Sequence, residues 1–374
     1  MKKTLKRILS LMLSLVLLVA PLLSINSFAA YEEITEDIPL LNEKGYLNKT
    51  GWCFQNKFAY DRSKIGANAT RIKEWDFYQI SNDKYCVQIT IADISLGGAV
   101  TVGFFDLETG EEYSTMMLNL FTFGRMNLSK DAMAAHSYSF KRGNFDLELD
   151  VTKEKRTIKF TGKKGFKDFK LDITLDMLPE HDSLIMAVPF NKEDQFYYNQ
   201  KVNCMAATGT VEYGDINFEF KGKEDNSYCV LDWGRGVWPF HEDWWWGNGS
   251  TTLSDGNVFG FEIGWGFGNT DDGIENAVFY NGEGTKIGKI TLVNEEEVMK
   301  DWTGQDWIFK SEDGKFEMTM TPTFDHYTML RFIFIGNICH QVFGKWNGTV
   351  TLDDGTKLEI KDMVAFCEHS DNMW

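Results

Sequence analysis

Apolar residues recur at every second position in one segment after another, and this period constrains the fold more than any other feature of the chain. Phe169, Leu171, Ile173, Leu175 and Met177 alternate with Lys170, Asp172, Thr174 and Asp176. Tyr85, Val87, Ile89 and Ile91 alternate with Cys86, Gln88 and Thr90, and Phe316, Met318 and Met320 with Glu317, Thr319 and Thr321. Successive side chains of a strand point to opposite faces, so each segment reads as a strand with one face in a core and one in solvent. Asp255-Gly256, Asn281-Gly282, Asp313-Gly314 and Asp354-Gly355 suit tight hairpin turns that need positive φ. Helical periodicity is confined to two short candidates, 129–135 and 294–301. The 29 Phe and 12 Trp suffice for a large core or an aromatic-lined cavity.

The strands fall into two related halves. Gly209-Thr210-Val211-Glu212-Tyr213-Gly214-Asp215 has a counterpart in Gly348-Thr349-Val350-Thr351-Leu352-Asp353-Asp354-Gly355, and each leads into an alternating strand, 216–220 and 357–360. Each half then reaches an acid followed by Trp, Asp232 before Trp238 and Glu368 before Trp374. Near the other end Trp75, Asp83 and Ile91 match Trp246, Asp255 and Ile263. The same order of matches at both ends places the boundary near Trp238/Pro239, with halves 31–238 and 239–374. Two antiparallel units must hide their edges, either by closing each sheet into a barrel or by stacking sheets in a double sandwich. Periodicity alone leaves both open.

The first 29 residues read as an export leader. Lys2, Lys3, Lys6 and Arg7 precede an apolar run from Ile8 to Leu23, and Ser27-Phe28-Ala29 supplies the small-x-small cleavage pattern. The alternative is an uncleaved anchor, although the run is short for a span of about 20 residues. No later segment is apolar enough to cross a membrane. Cleavage removes four basic residues and no acid, taking the formal charge from −17 to −21. Such a chain does not suit nucleic acid, whose phosphates are neutralised by Lys and Arg. Cys53, Cys86, Cys204, Cys229, Cys339 and Cys367 show no CxxC pair; export permits disulfides, and buried free thiols are the alternative.

Chemistry-bearing residues concentrate in 232–249, which holds Asp232, Arg235, His241, Trp238, Trp244 and Trp246. An acid against a tryptophan wall could protonate an alkene, with indole faces stabilising the cation. The competing reading is structural: Arg235 pairs with Asp232 across a tight Gly turn, and the indoles plug the join between the halves. Gly264-Trp265-Gly266-Phe267-Gly268 opens no helix and so is no dinucleotide loop. Its glycines make room for a ligand or a neighbouring backbone, with Glu262, Glu275 and Asn276 as a polar cavity end. Tyr197, Tyr198, Asn199 and Lys201 form a second polar-aromatic cluster, read either as a site or as a covering edge strand. The six His show no metal spacing and there is no GxSxG elbow, so no metal and no cofactor are expected.

Leu231-Asp232-Trp233-Gly234-Arg235-Gly236-Val237-Trp238-Pro239-Phe240 resembles the hallmark of the family labelled domain of unknown function 2804. Arg71-Ile72-Lys73-Glu74-Trp75-Asp76-Phe77-Tyr78, Phe196-Tyr197-Tyr198-Asn199-Gln200-Lys201, Glu275-Asn276-Ala277-Val278-Phe279-Tyr280 and His340-Gln341-Val342-Phe343-Gly344 agree with it in order. The resemblance implies an all-β fold of two tandem, lipocalin-like (calycin) antiparallel barrels packed together, distantly related to carotenoid hydratases. It also implies an apolar small-molecule partner, a lipid or isoprenoid, held in a barrel and hydrated or isomerised at an alkene. Asp232, His241 and Glu262 are then the expected acids and bases. Arg235, Trp238, Trp244, Trp246, Trp265, Tyr197, Tyr198, Asn199, Lys201, Glu275 and Asn276 are the expected ligand contacts. A non-catalytic lipid carrier and a carbohydrate-binding or structural β protein are the alternatives.

Overall fold

The computed structural model describes residues 31–270, 272–332 and 335–373; the leader expected over 1–29 lies outside them. The period-two segments form two antiparallel sheets. The first contains β2 (Gly51–Cys53), β4 (Ile72–Ser81), β5 (Tyr85–Asp93), β6 (Gly97–Asp106), β7 (Glu112–Leu120), β8 (His136–Arg142), β9 (Phe145–Val151), β10 (Lys155–Lys164), β11 (Lys167–Asp176), β12 (Leu184–Pro189), β13 (Phe196–Tyr213), β14 (Ile216–Lys221) and β15 (Tyr228–Val237). β1 (Ile38–Pro39) and β3 (Phe58–Ala59) pair separately. The main order is β7-β6-β5-β4-β15-β13-β11-β10-β9-β8, so the last strand lies beside the first long one. The open side between β7 and β8 is bridged by Arg142, whose guanidinium donates to the Leu118 carbonyl and to Asn119 Oδ1, both at 2.5 Å.

The second sheet repeats this plan. It comprises β16 (His241–Thr252), β17 (Val258–Trp265), β18 (Ala277–Tyr280), β19 (Glu283–Lys286), β20 (Ile290–Leu292), β21 (Trp307–Ser311), β22 (Phe316–Phe332), β23 (Ile335–Thr351) and β24 (Lys357–Met373). Its order is β19-β18-β17-β16-β24-β23-β22-β21-β20. Again three strands follow the first on one side and the last strand pairs on the other, so the molecule is two tandem barrels. The first sheet ends at Val237 and the second begins at His241. Gly256, Gly282, Gly314 and Gly355 all take positive φ, as the hairpin turns require.

Both barrels are filled by their own inward side chains. Phe104, Phe160 and Phe169 meet edge-on or tilted inside the first, with centroids 5.3 to 5.7 Å apart. Trp346 packs between Phe309 and Phe261 inside the second, at 4.6 and 4.8 Å. A ligand enclosed within one barrel, as the lipocalin resemblance implies, has these rings in its place. No helix among the described residues is long and apolar enough to cross a membrane, and all six Cys are free thiols.

Three local expectations change. Residues 129–135 form bends rather than a helix, because Ser129 Oγ donates to the Asp131 carbonyl and Asp131 Oδ1 accepts the Met133 N–H. Such side-chain bonds compete with the helical ladder. The segment 294–301 yields a single turn, α1 (Glu295–Val298). Finally, 232–237 is continuous strand, not a Gly turn. Gly234 is required because a Cβ there would lie 2.3 Å from the indole of Trp75, which lies across it.

Candidate functional site

A cavity of about 370 Å³ lies between the barrels, on their outer faces. Its aromatic wall is a box of Trp75, Tyr197, Trp238, Trp244 and Phe267. Trp75 stacks on Tyr197 at 5.7 Å and meets Trp238 edge-on at 4.9 Å. Phe267 meets Tyr197, Trp238 and Trp244 edge-on, at 4.8 to 5.5 Å. Edge-to-face aromatic contacts of this kind favour a fixed arrangement of rings.

Strand register shows that the two barrels contribute equivalent positions to this cleft. Phe77 on β4 stands opposite Asp232 on β15, and Trp246 on β16 stands opposite Glu368 on β24. Two residues earlier, Trp75 donates its indole N–H to Asp232 Oδ2 at 2.9 Å, and Trp244 donates to Glu368 Oε1 at 3.2 Å. Trp75 therefore corresponds to Trp244, two residues from the partner that sequence matching assigns. On the other side of each acid, Lys201 on β13 stands opposite Asp232, and Gln341 on β23 opposite Glu368. The equivalence extends across the join. Lys201 reaches Glu262 of the other barrel at 3.6 Å, and Gln341 accepts from Gln88 of the other barrel at 2.6 Å.

This symmetry of geometry is broken in charge. Asp232 has an ammonium neighbour, Lys201 Nζ, at 3.4 Å. In the equivalent position Glu368 has a neutral amide, Gln341 Nε2, donating at 2.9 Å. Burial pushes the Glu368 carboxyl up to about 7 against the hydrogen bonds from Trp244 and Gln341 and the more distant pull of Lys201, with the nearby Asp232 charge adding to the rise.

Lys201 also pairs with Glu275 at 3.2 Å and lies over the Trp246 ring at 4.1 Å. Burial pulls its ammonium down, but the three carboxyls of Asp232, Glu262 and Glu275 outweigh burial and hold it above the usual lysine range. Burial pushes Glu262 up to about 8 against the pull of Lys201, with Glu275 adding to the rise, so Glu262 is the acid of the cluster that holds a proton most readily. Glu262 accepts from the Trp246 indole and, at 2.8 Å, from Asn248. Glu275 is raised as well, chiefly by burial. Gly264 makes its place: a Cβ there would lie 2.4 Å from the Glu275 carboxyl carbon.

Of the residues singled out from sequence, Asp232, Lys201, Glu275, Tyr197, Trp238, Trp244 and Trp246 line the cleft. Asn199 supports it by donating to Asp232 and to the Trp233 carbonyl. Glu262 lies behind the lining, joined to it through Lys201. Asn276 is a brace, accepting from the Gly264 N–H at 2.9 Å and donating to the Gly288 carbonyl.

The strand period takes the others elsewhere. Tyr198 points into the first barrel, edge-on to Trp233 at 5.4 Å. Arg235 does the same and does not pair with Asp232; it binds Asp76 at 2.8 Å and lies over Trp233. Trp265 stacks on Trp245 at 5.7 Å, on the face of β16 opposite Trp244 and Trp246. His241 is exposed at the end of β16, 2.8 Å from Asp371. Glu368, noted in the sequence only as the repeat partner of Asp232, is a cleft acid, and Trp75, Phe77, Gln88, Phe267 and Gln341 join it. The alternation Glu368, Ser370, Asn372 in the final strand is the sequence signal for that face. Among the described residues no group of His, Cys, Asp and Glu is arranged to hold a metal ion.

No curated protein matches the sequence. Among solved structures, kievitone hydratase from Nectria haematococca is 12% identical, with a TM-score of 0.47 over 81% of this chain and 88% of its own. A protein described as an AttH from Nitrosomonas europaea is 11% identical, with a TM-score of 0.44 over 84% and 96%. The family model described as domain of unknown function (DUF2804) matches residues 31–374, the whole of both barrels, and the chain belongs to that family.

Proposed function

We propose that the cleft binds an apolar small molecule and moves a proton at one of its carbon–carbon double bonds, in a hydration or an isomerisation. The observation that carries this reading is the pair of equivalent acids in unlike surroundings, Glu368 beside Gln341 and Asp232 beside Lys201. Two carboxyls with unlike neighbours can take the parts of donor and acceptor. Glu368, held up to about 7, gives its proton to the alkene carbon. The π faces of Trp75, Trp238 and Trp244 stabilise the resulting cation. The Asp232 carboxylate then takes a proton from an attacking water, giving the alcohol, or from the adjacent carbon, giving the shifted alkene. Return of that proton to Glu368 resets the site. His241, exposed and outside the cleft, has no part in this scheme.

The test is to extract the purified protein, identify the retained lipid by mass spectrometry, and incubate it with the protein in deuterium oxide. We expect deuterium to enter the ligand and its incorporation to fall by about 10²–10⁴ in Glu368→Gln, with binding retained. Incorporation by this variant at the native rate removes Glu368 as donor. Ligand held by the native protein without any exchange would assign it as a carrier. The leader of residues 1–29 supports export, and N-terminal sequencing of the protein recovered from culture medium and cell envelope tests it.

A further inference from the structure

The cleft walls continue outward beyond its lining. On β5 the lining residues step from Gln88 through Thr90 and Ala92 to Ile94 just past its end, and on β23 from Gln341 through Cys339 to Asn337. The next position on the second wall is Leu330, opposite Asn337 in the ladder and 60% exposed. On the first wall, Ala92 pairs with Ala99, Ala99 with Leu118, and Gly97 with Leu120. Leu118 and Leu120 thus share the face of Ala92, and Leu120 is 73% exposed. Phe121, also exposed, donates its N–H to the Leu96 carbonyl at 3.0 Å, beside Ile94. Large apolar side chains therefore rim the mouth on both barrels. Solvent-exposed groups of this kind mark an interaction surface.

The charge around this rim departs from the rest of the chain. The protein carries 55 Asp and Glu among 374 residues, yet none lies between Glu112 and Asp131, or between Asp325 and Asp353. The charged groups there are basic. Arg125 donates to the Phe121 carbonyl, Arg142 to the Leu118 carbonyl, and Arg331 follows Leu330. A second copy of the chain would set guanidinium against guanidinium across the rim, the acid Glu242 on the same face lying opposite Asn372, two strands from Asn337. An anionic bilayer offers what the rim lacks: phosphates for the arginines and an acyl boundary for Leu and Phe.

We propose that this rim docks the protein on an anionic lipid bilayer with the cleft mouth toward the membrane. The docking stands apart from any chemistry in the cleft. Phe166 supplies an internal control, because it is fully exposed but sits at the other end of the first barrel. Its hairpin adjoins Phe169, which pairs with Tyr213, and the Tyr213 ring lies 4.2 Å from Tyr113 at the start of β7, whereas Leu120 ends that strand.

The test uses residues 31–374, which form one compact unit, because the apolar leader would itself enter a bilayer. We expect co-sedimentation with phosphatidylglycerol-containing vesicles, little with pure phosphatidylcholine, and weakening by salt. L120D/F121D should lower the apparent affinity at least about tenfold, while F166D leaves it unchanged. Thermal melting checks that each variant folds. If the apolar variants do not, R331E at an exposed position takes their place and should lower affinity several-fold. Absence of binding to the anionic vesicles, binding indifferent to the rim substitutions, or equal loss in F166D would overturn the proposal. So would a dimer in analytical ultracentrifugation that the rim substitutions dissolve, which would give the surface to a second copy.

Discussion

One side chain in each barrel sets the electrostatics of the cleft. Lys201 and Gln341 occupy equivalent positions beside equivalent acids, an ammonium facing Asp232 and an amide facing Glu368. Gln341→Lys would place a cation beside Glu368 and favour its charged form. We expect the Glu368 carboxyl to move down from about 7 toward the ordinary carboxylate range, followed as a function of pH by carbon-13 NMR of the side chain. Deuterium exchange should fall with it, because the donor is then largely ionised at neutral pH. An unchanged titration would show that burial alone holds Glu368 up. Asp232 and the tryptophans were legible in the sequence as an acid-and-indole cluster, and Lys201 within a separate polar-aromatic one. The role of Gln341 was not, since an uncharged amide carries no catalytic signature until its register opposite Glu368 is known.

At the scale of the element, a single strand serves two destinations. β16 sends Trp244 and Trp246 to the cleft and Trp245 into the second barrel; β15 sends Asp232 to the cleft and Trp233 and Arg235 into the first. The alternating pattern, the hairpin glycines and the repeat of halves were all readable along the chain, because each is a local property of backbone geometry. Which face of β15 meets which face of β24 was not. The bond from Gln88 to Gln341 joins residues 253 positions apart, and nothing local records it. For the same reason the composition of 232–249 grouped Arg235, and the motif 264–268 grouped Trp265, with cleft residues from which the pleat separates them. Gly264 marks how tightly the elements meet. Gly264→Ala would drive a methyl into the Glu275 carboxyl at 2.4 Å, which must shift off Lys201. We expect a loss of about 1–3 kcal/mol in urea denaturation, against little change for Gly256→Asn at a hairpin turn whose Cβ would meet nothing.

Across the whole molecule, the buried acids couple folding to pH in an unusual direction. Glu262 and Glu368 titrate near 8 and 7 in the folded state, above their ordinary 4.5. The folded protein therefore binds protons that the unfolded chain releases. Their stabilising contribution is present in full below about 4.5 and is lost as pH rises to about 8. Melting temperatures measured from pH 5 to pH 8.5 should fall from these two groups, and the slope should be shallower in Glu262→Gln whatever that variant's absolute stability. An equal slope in the variant would remove Glu262 as the proton's holder. The same cleft also carries a consequence for ancestry. Two identical barrels meeting in this way would set the same neighbour beside both acids, and the two acids could not be told apart. Duplication within one gene lifts that obligation. Once the copies share a chain, a codon change at position 201 or 341 alters one half-site alone, and a symmetric binding groove becomes a directional one.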